Sequence, residues 1–226
     1  MYEISYNVDV VMCIDKTGNM RLFIENLTEN FHNLWMNLVD AMDMNGRCIE
    51  QLRFKFIAFG DFRCDEDPIM ESRFLSLPED ENEALCFLTN ISCGGGGDIP
   101  EDALEAFSLA LKTDWDNDAE VRHRHIVMMF TDAPAHKLGT NSEAPFYPDG
   151  MPADLGQLSE WWHGGGAELE GSFMPRFGRL ALFAPKEEPW IEMQKWCHSF
   201  VSYKDNCSDL YDMDVLEELQ PFFDFL

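Results

Sequence analysis

VDVVMCIDKTGNM, residues Val8 to Met20, is the stretch on which the fold turns. Its first half is dominated by Val, Met, Cys and Ile with a single Asp intruding, the composition of a strand buried on both faces of a largely parallel sheet. The strand runs directly into Asp15, Thr17, Gly18 and Asn19. Oxygen-bearing side chains at i, i+2 and i+4, placed where a strand gives way to a helix, can converge on one point, and Gly18 lets the backbone bend sharply. Hard oxygen donors around a point suit a hard cation, foremost Mg²⁺, with Mn²⁺ or Ca²⁺ as the other ions such oxygens take. A polar strand-to-helix turn with Thr17 or Asn19 as the N-cap would use the same residues without a metal.

Outward from this stretch the pattern alternates between the two regular periods. Met20 to Met42 repeats apolar residues at helical spacing, and Gly46 marks the helix end. Leu52 to Phe59 reads as a second strand ending in Gly60-Asp61, and Arg73 to Leu77 as a short third. Pro78 and the acidic run Glu79 to Glu83 open a helix through Leu88, and another runs from Asp102 to Leu111. Arg124 to Thr131, RHIVMMFT, is a further buried strand that delivers Asp132 to its carboxyl end. After a long polar loop, Ala133 to Gly150, come a helix around Pro152 to Trp162, a strand at Gly178 to Phe183, a helix at Glu187 to Cys197, a strand at Ser199 to Tyr203 and a terminal helix at Ser208 to Leu226. These elements predict one α/β domain over residues 1–226. It is a doubly wound, mostly parallel six-stranded sheet with helices on both faces and one antiparallel edge strand. In such sheets ligands sit beyond the carboxyl ends of the strands, where Asp15 and Asp132 both fall.

Composition narrows the partners. With 42 acidic against 16 basic residues the formal net charge is −26, a field that repels nucleic acid and anionic membrane. Seven cysteines without a C-x-x-C pair read as reduced, mostly buried thiols of a cytoplasmic protein. No apolar run reaches the length of a membrane span. Three other patterns fail on their own terms. Gly94 to Gly97 lacks the Gly-Lys-Ser/Thr of a phosphate loop, and His163 to Gly166 has no Gly-x-Ser-x-Gly nucleophile to serve. His123 and His125 share one strand face but have no third ligand for zinc. Trp161 and Trp162 are adjacent, so a helix is not expected to bury both, and one is expected at a contact surface.

Two families share the first loop. Asp15-Lys16-Thr17-Gly18-Asn19 resembles the phosphorylation loop of P-type ATPases and haloacid dehalogenases, which would make Asp15 a nucleophile in a phosphotransferase. Gly60 to Asp65 would then supply the Gly-Asp-x-x-x-Asp metal motif, but it comes before the strands that should carry the intervening groups, and Gly94 to Glu101 is left without a role. Asp15-x-Thr17-x-Asn19, together with Gly95-Gly96-Gly97-Asp98-Ile99-Pro100-Glu101 and Asp132-Ala133-Pro134-Ala135-His136, resembles the von Willebrand factor type A (vWA) domains found beside atypical alpha-kinases and in related cytosolic bacterial proteins. That resemblance covers almost the whole chain. It implies a metal-ion-dependent adhesion site with Mg²⁺ held by Asp15, Thr17, Asn19, Asp98 and Asp132. Asp61 and His136 would stand behind these ligands or contact the partner. Asn19 for Ser keeps a coordinating oxygen, and Asp98 stands where many such domains carry Thr. The implied function is a non-enzymatic interaction module whose protein partner offers an acidic residue to the metal. The alternatives are the phosphotransferase and a structural subunit that works without metal.

Overall fold

The computed structural model describes residues 4–95, 99–164, 173–204 and 215–226. Strand β1 (Ile4–Asp15) is central, and its apolar run is covered on both sides. It pairs in parallel with β2 (Arg47–Phe59) and with β5 (Arg122–Phe130). β6 (Gly178–Pro185) and β7 (Ser199–Lys204) continue the parallel sheet. With β3 (Ile69–Glu71) at the other edge, the strand order is β3-β2-β1-β5-β6-β7, and sequence direction reverses across β1, which puts a crevice at its carboxyl end.

The sheet has seven strands rather than six. Both β3 (Ile69–Glu71) and β4 (Leu75–Leu77) run antiparallel to β2. At three residues β3 is too short to show alternation, and it follows the acidic Asp65-Glu66-Asp67, so hydropathy did not mark it. It is held across the sheet by Lys55, whose Nζ lies 2.9 Å from Glu71 Oε2 and donates to the Ser72 carbonyl at 2.7 Å.

Two apolar layers cover the sheet. One face carries α1 (Arg21–Met44), α2 (Glu81–Thr89) and α6 (Val215–Phe225). α1 turns Phe23, Leu27, Phe31, Leu34 and Leu38 inward at helical spacing, each fully buried side chain contributing about 1.5–3 kcal/mol. The helix stops where Gly46 adopts φ 70°, its N–H donating to the Asp43 carbonyl. The other face carries α3 (Ala103–Lys112), α4 (Leu155–Gly164) and α5 (Trp190–Met193).

Trp161 and Trp162 are both about 1% exposed, contrary to the one-sided expectation. α4 is covered from two directions: Trp162 stacks on Phe173 at 5.0 Å and donates from Nε1 to the Cys197 carbonyl, while Trp161 joins the layer under α3. The helix expected over 187–197 is also corrected, since it shrinks to Trp190–Met193 and continues as tight turns. Trp190, Met193 and Trp196 recur every third residue, so three-residue turns keep all three inside. Of the six described cysteines, Cys64, Cys86 and Cys197 are exposed and only Cys13 is buried. Apolar periodicity drew them inward on paper, whereas they lie on loop and helix faces turned to water. Among the described residues no helix is long and apolar enough to cross a membrane.

At the amino end of the sheet, His123 and His125 do share a face, their ring centroids 6.1 Å apart. His125 is fully buried and stacked on Trp115, with Nε2 2.9 Å from the Asp116 carbonyl and Nδ1 facing the Met174 N–H at 3.5 Å. These partners fix a neutral imidazole with the proton on Nε2, and burial pushes its pKa down to about 4. The unfolded chain takes up this proton near pH 6.5 and the folded chain only near 4, so His125 contributes stability above pH 6.5 that is lost as pH falls through 4. Urea unfolding at pH 7 and pH 4.5 is expected to show the wild type losing stability relative to a His125→Gln variant as the pH falls.

Candidate functional site

Asp15 closes β1 and is fully buried. Its Oδ1 accepts the Thr17 N–H at 2.9 Å and its Oδ2 accepts the Thr131 hydroxyl at 2.8 Å. Burial lifts its pKa to about 6; the Thr17 and Thr131 hydrogen bonds oppose the rise and the nearby Asp132 charge adds to it. Asp132 follows β5, and its carboxyl is raised by burial and steadied by a hydrogen bond from Asn19. Thr17 is buried and Asn19 is exposed, so the first loop presents one sheltered and one accessible oxygen donor at this rim. The structure thus brings Asp15, Thr17, Asn19 and Asp132 together across the crevice between β1 and β5. Asp98 lies outside the described residues.

The second and third loops are tied to each other by main-chain bonds. Glu101 N donates to the Pro134 carbonyl at 3.1 Å and His136 N to the Glu101 carbonyl at 2.8 Å. The glycine run reaches the first loop, where Gly94 N donates to the Lys16 carbonyl. Gly95 sits at φ 75°, and a Cβ there would collide with the Asp65 carboxylate. Asp65 in turn accepts the Asp61 N–H at 2.9 Å.

Asp61 and His136 also meet at this rim. Asp61 is buried, with Oδ1 accepting the N–H groups of Arg63 and Cys64 and Oδ2 lying 3.5 Å from His136 Nε2 without a hydrogen bond.

Sequence reasoning missed four polar residues. Thr131 looked like the last apolar-strand residue, yet its hydroxyl anchors Asp15. Glu101, Asp102 and Glu105 are all buried at the start of the apolar helix α3. Asp102 accepts the Phe62 N–H and two bonds from Asn141 Nδ2, and Glu105 Oε1 accepts the Tyr147 hydroxyl. Among the described residues Glu101 Oε2 and Glu105 Oε2 have no hydrogen-bond partner. Burial drives the Glu101 pKa up to about 9, with the charges of Asp15, Asp61, Asp65 and Asp102 adding to it, and lifts Glu105 to about 7. The available signal was three carboxylates within five residues at the mouth of an otherwise apolar helix, a pattern that a solvated helix start would not bury.

Beside the rim, Leu104, His136, Lys137, Leu138, Leu155 and Pro189 line a cleft of about 490 Å³ under the loop that follows β5.

Solved structures share this architecture at low sequence identity. Proximal thread matrix protein 1 from the mussel byssus superposes with a TM-score of 0.50 and 10% identity, over 98% of this chain and 48% of that one. The pilus adhesin SpaC from Lactobacillus rhamnosus GG, in its open conformation, gives 0.52 and 10%, over 96% and 30%.

These likenesses show the architecture alone, a doubly wound, mostly parallel α/β sheet.

No protein-family model matches the chain. In sequence it is 27% identical over 145 residues to the alpha-protein kinase vwkA of Dictyostelium discoideum, spanning 64% of this chain and 21% of that protein. It is 26% identical over 129 residues to an ariadne-like RING finger protein of Acanthamoeba polyphaga mimivirus, spanning 57% and 11%. The chain thus matches about a fifth and about a tenth of the length of these relatives.

Among the described residues no three His, Cys, Asp or Glu side chains are grouped closely enough to hold a metal ion by themselves. The first-loop arrangement does not depend on such a group, because two of its four described donors are the Thr17 hydroxyl and the Asn19 amide.

Proposed function

We propose that this chain is a metal-ion-dependent protein-interaction domain of the vWA type. The observation that carries the reading is the excess of buried carboxyl groups beside Asp15: Glu101 is 3% exposed and its Oε2 has no hydrogen-bond partner among the described residues. Burying such a group without a counter-charge is costly, and a cation at the rim would remove the cost. The donor set is all oxygen, which suits Mg²⁺ or Mn²⁺. Asp15, Thr17, Asn19 and Asp132 would hold the ion, joined by Asp98, with Glu101 answering it from the α3 side. When bound, such an ion supplies a positive point that can accept one carboxylate oxygen from outside.

The chain's own residues account for the rest of the function. Asp15 is held by Thr17 and Thr131 through both oxygens, an anchored arrangement that favours a ligand over an attacking nucleophile. Asn19 is exposed, so the rim opens outward on that side. The cleft lined by Leu138 and Pro189 gives a neighbouring apolar side chain of the partner a place to insert. A chain of net charge −26 repels acidic partners, and a bridging cation would convert that repulsion into selective docking. The adhesin and the matrix protein that share the fold, and the kinase that shares the sequence, fit a recognition domain used alone or beside other domains.

The experiment is water-proton relaxation with Mn²⁺ bound to the protein. A short peptide carrying one Glu is expected to lower the relaxation enhancement as its carboxylate displaces metal-bound water, and the Gln peptide is expected to leave it unchanged. Equal effects of the two peptides would overturn the reading.

A further inference from the structure

At the opposite end of the sheet four of the chain's nine arginines gather on one face. Strand register places them. Arg47 on β2 pairs with Ile4, Arg122 and Arg124 on β5 pair with Tyr6 and Val8, and Arg179 on β6 pairs with Ile126. Paired residues in parallel strands point to the same side, and Tyr6, Val8 and Ile126 all belong to the layer beneath α1 and α6. The arginines therefore extend that apolar layer into a cationic patch at the amino ends of three strands.

In a chain with 42 carboxylates, none of these guanidinium groups forms an ion pair with a described residue. Their described contacts are instead to main-chain oxygens and to Tyr6. Arg124 lies over the Tyr6 ring at 4.7 Å and donates to the His123 carbonyl at 3.1 Å and to the Leu226 main-chain oxygen at 3.4 Å. Arg179 donates to the Gly178 carbonyl at 2.7 Å, and Arg122 is hydrogen-bonded to Tyr6. Arg47, Arg124 and Arg179 are half-buried while Arg122 is exposed, so the patch is sheltered but open. Mutual repulsion is felt: burial, then the charges of Arg124 and Arg47, bring the Arg179 pKa down to about 10.

We infer that Arg47, Arg122, Arg124 and Arg179 form a binding site for a phosphate-class oxyanion, separate from the metal rim and independent of it. Planar guanidinium forks held in place by main-chain contacts match the oxygens of a tetrahedral dianion, and several forks around one group exceed what a single carboxylate can occupy. The strongly negative remainder of the surface selects the size of the ligand. A long polyanion would meet repulsion on every side of the patch, whereas a compact group of dense charge meets only the arginines. The phosphate can come free in solution or attached to a peptide.

The full chain is titrated calorimetrically, at constant ionic strength, with inorganic pyrophosphate, with a phosphoserine peptide and its unphosphorylated form, and with a single-stranded DNA oligonucleotide. Pyrophosphate or the phosphopeptide is expected to bind one per chain, and whichever binds more tightly identifies the source. Arg122→Ala, at an exposed position, is expected to weaken that binding at least tenfold, and Arg122→Lys to recover only part of it. Arg73→Ala, in an exposed ion pair with Asp80 and Glu83 elsewhere, is expected to change nothing. Absence of binding to both phosphate probes, binding that Arg122→Ala leaves intact, or preferential binding of the oligonucleotide or the unphosphorylated peptide would overturn the inference.

Discussion

Replacing Asp9 with Ala is expected to destabilise the protein by about 3–5 kcal/mol, the usual consequence of removing one partner of a buried ion pair. Asp9 is 1% exposed in the middle of the apolar run of β1. Its register partner on β2 is Arg53, whose Nε and Nη2 donate to Oδ1 and Oδ2, each at 2.7 Å. Oδ2 also accepts the Asp116 N–H at 2.8 Å, fastening the loop before β5 to the central strand. Arg53 is largely enclosed, with its guanidinium 4.5 Å above the Phe74 ring. Loss of the carboxylate would leave that charge and the Asp116 N–H unpaired at once. The measurement is the urea midpoint at pH 7 for the wild type, Asp9→Ala and the double variant Asp9→Leu with Arg53→Met. The double variant is expected to recover most of the loss, because an apolar pair of similar volume has no charge to leave stranded. A single variant within about 1 kcal/mol of the wild type would show that the pair is not an energetic anchor.

This pair also marks where sequence reading reached its limit. The intrusion of Asp9 into an apolar strand was visible, but its partner lies 44 residues away on another strand, and only register brings the two together. The long elements were legible because their apolar residues repeat at one period over many residues, as in α1 and β5. Residues 190–196 were misread because a spacing of three fits both a helix and a series of tight turns. At the rim, Asp15 and Asp132 could be placed from strand ends alone. Glu101, Asp102 and Glu105 could not, because a run of carboxylates at a helix start is ordinarily solvated, and their burial depends on loops folding over them from Phe62, Gly139 and Asn141. Thr131 was hidden for a simpler reason: a hydroxyl at the end of a buried strand reads as β propensity until its partner is known.

The second large effect concerns the metal. Asp15→Ala and Asp132→Ala are each expected to reduce Mg²⁺ affinity by at least about a hundredfold, since each removes one of the charged oxygens that would hold the ion. Glu101→Gln is expected to act in two directions. Without metal it should stabilise the fold at pH 8, because Glu101 titrates near 9 when folded and near 4.5 when unfolded. The folded state then holds the extra proton between those values, so the group's contribution declines as pH rises through that window. With metal, the same substitution should weaken binding by about tenfold or more, because the orphaned oxygen loses its charge. Mg²⁺ must also displace a proton from Glu101, so wild-type affinity is expected to be several-fold tighter at pH 8.5 than at pH 6.5.

Isothermal titration of Mg²⁺ and Mn²⁺ into metal-stripped protein, with Asp15→Ala and Asp132→Ala beside the wild type, tests the central claim most directly. The account predicts one ion per wild-type chain and loss of that binding in both variants, with their circular dichroism unchanged. A wild type that takes up no ion, or folded variants that bind as tightly as the wild type, would contradict it and leave a doubly wound α/β domain whose role does not involve metal.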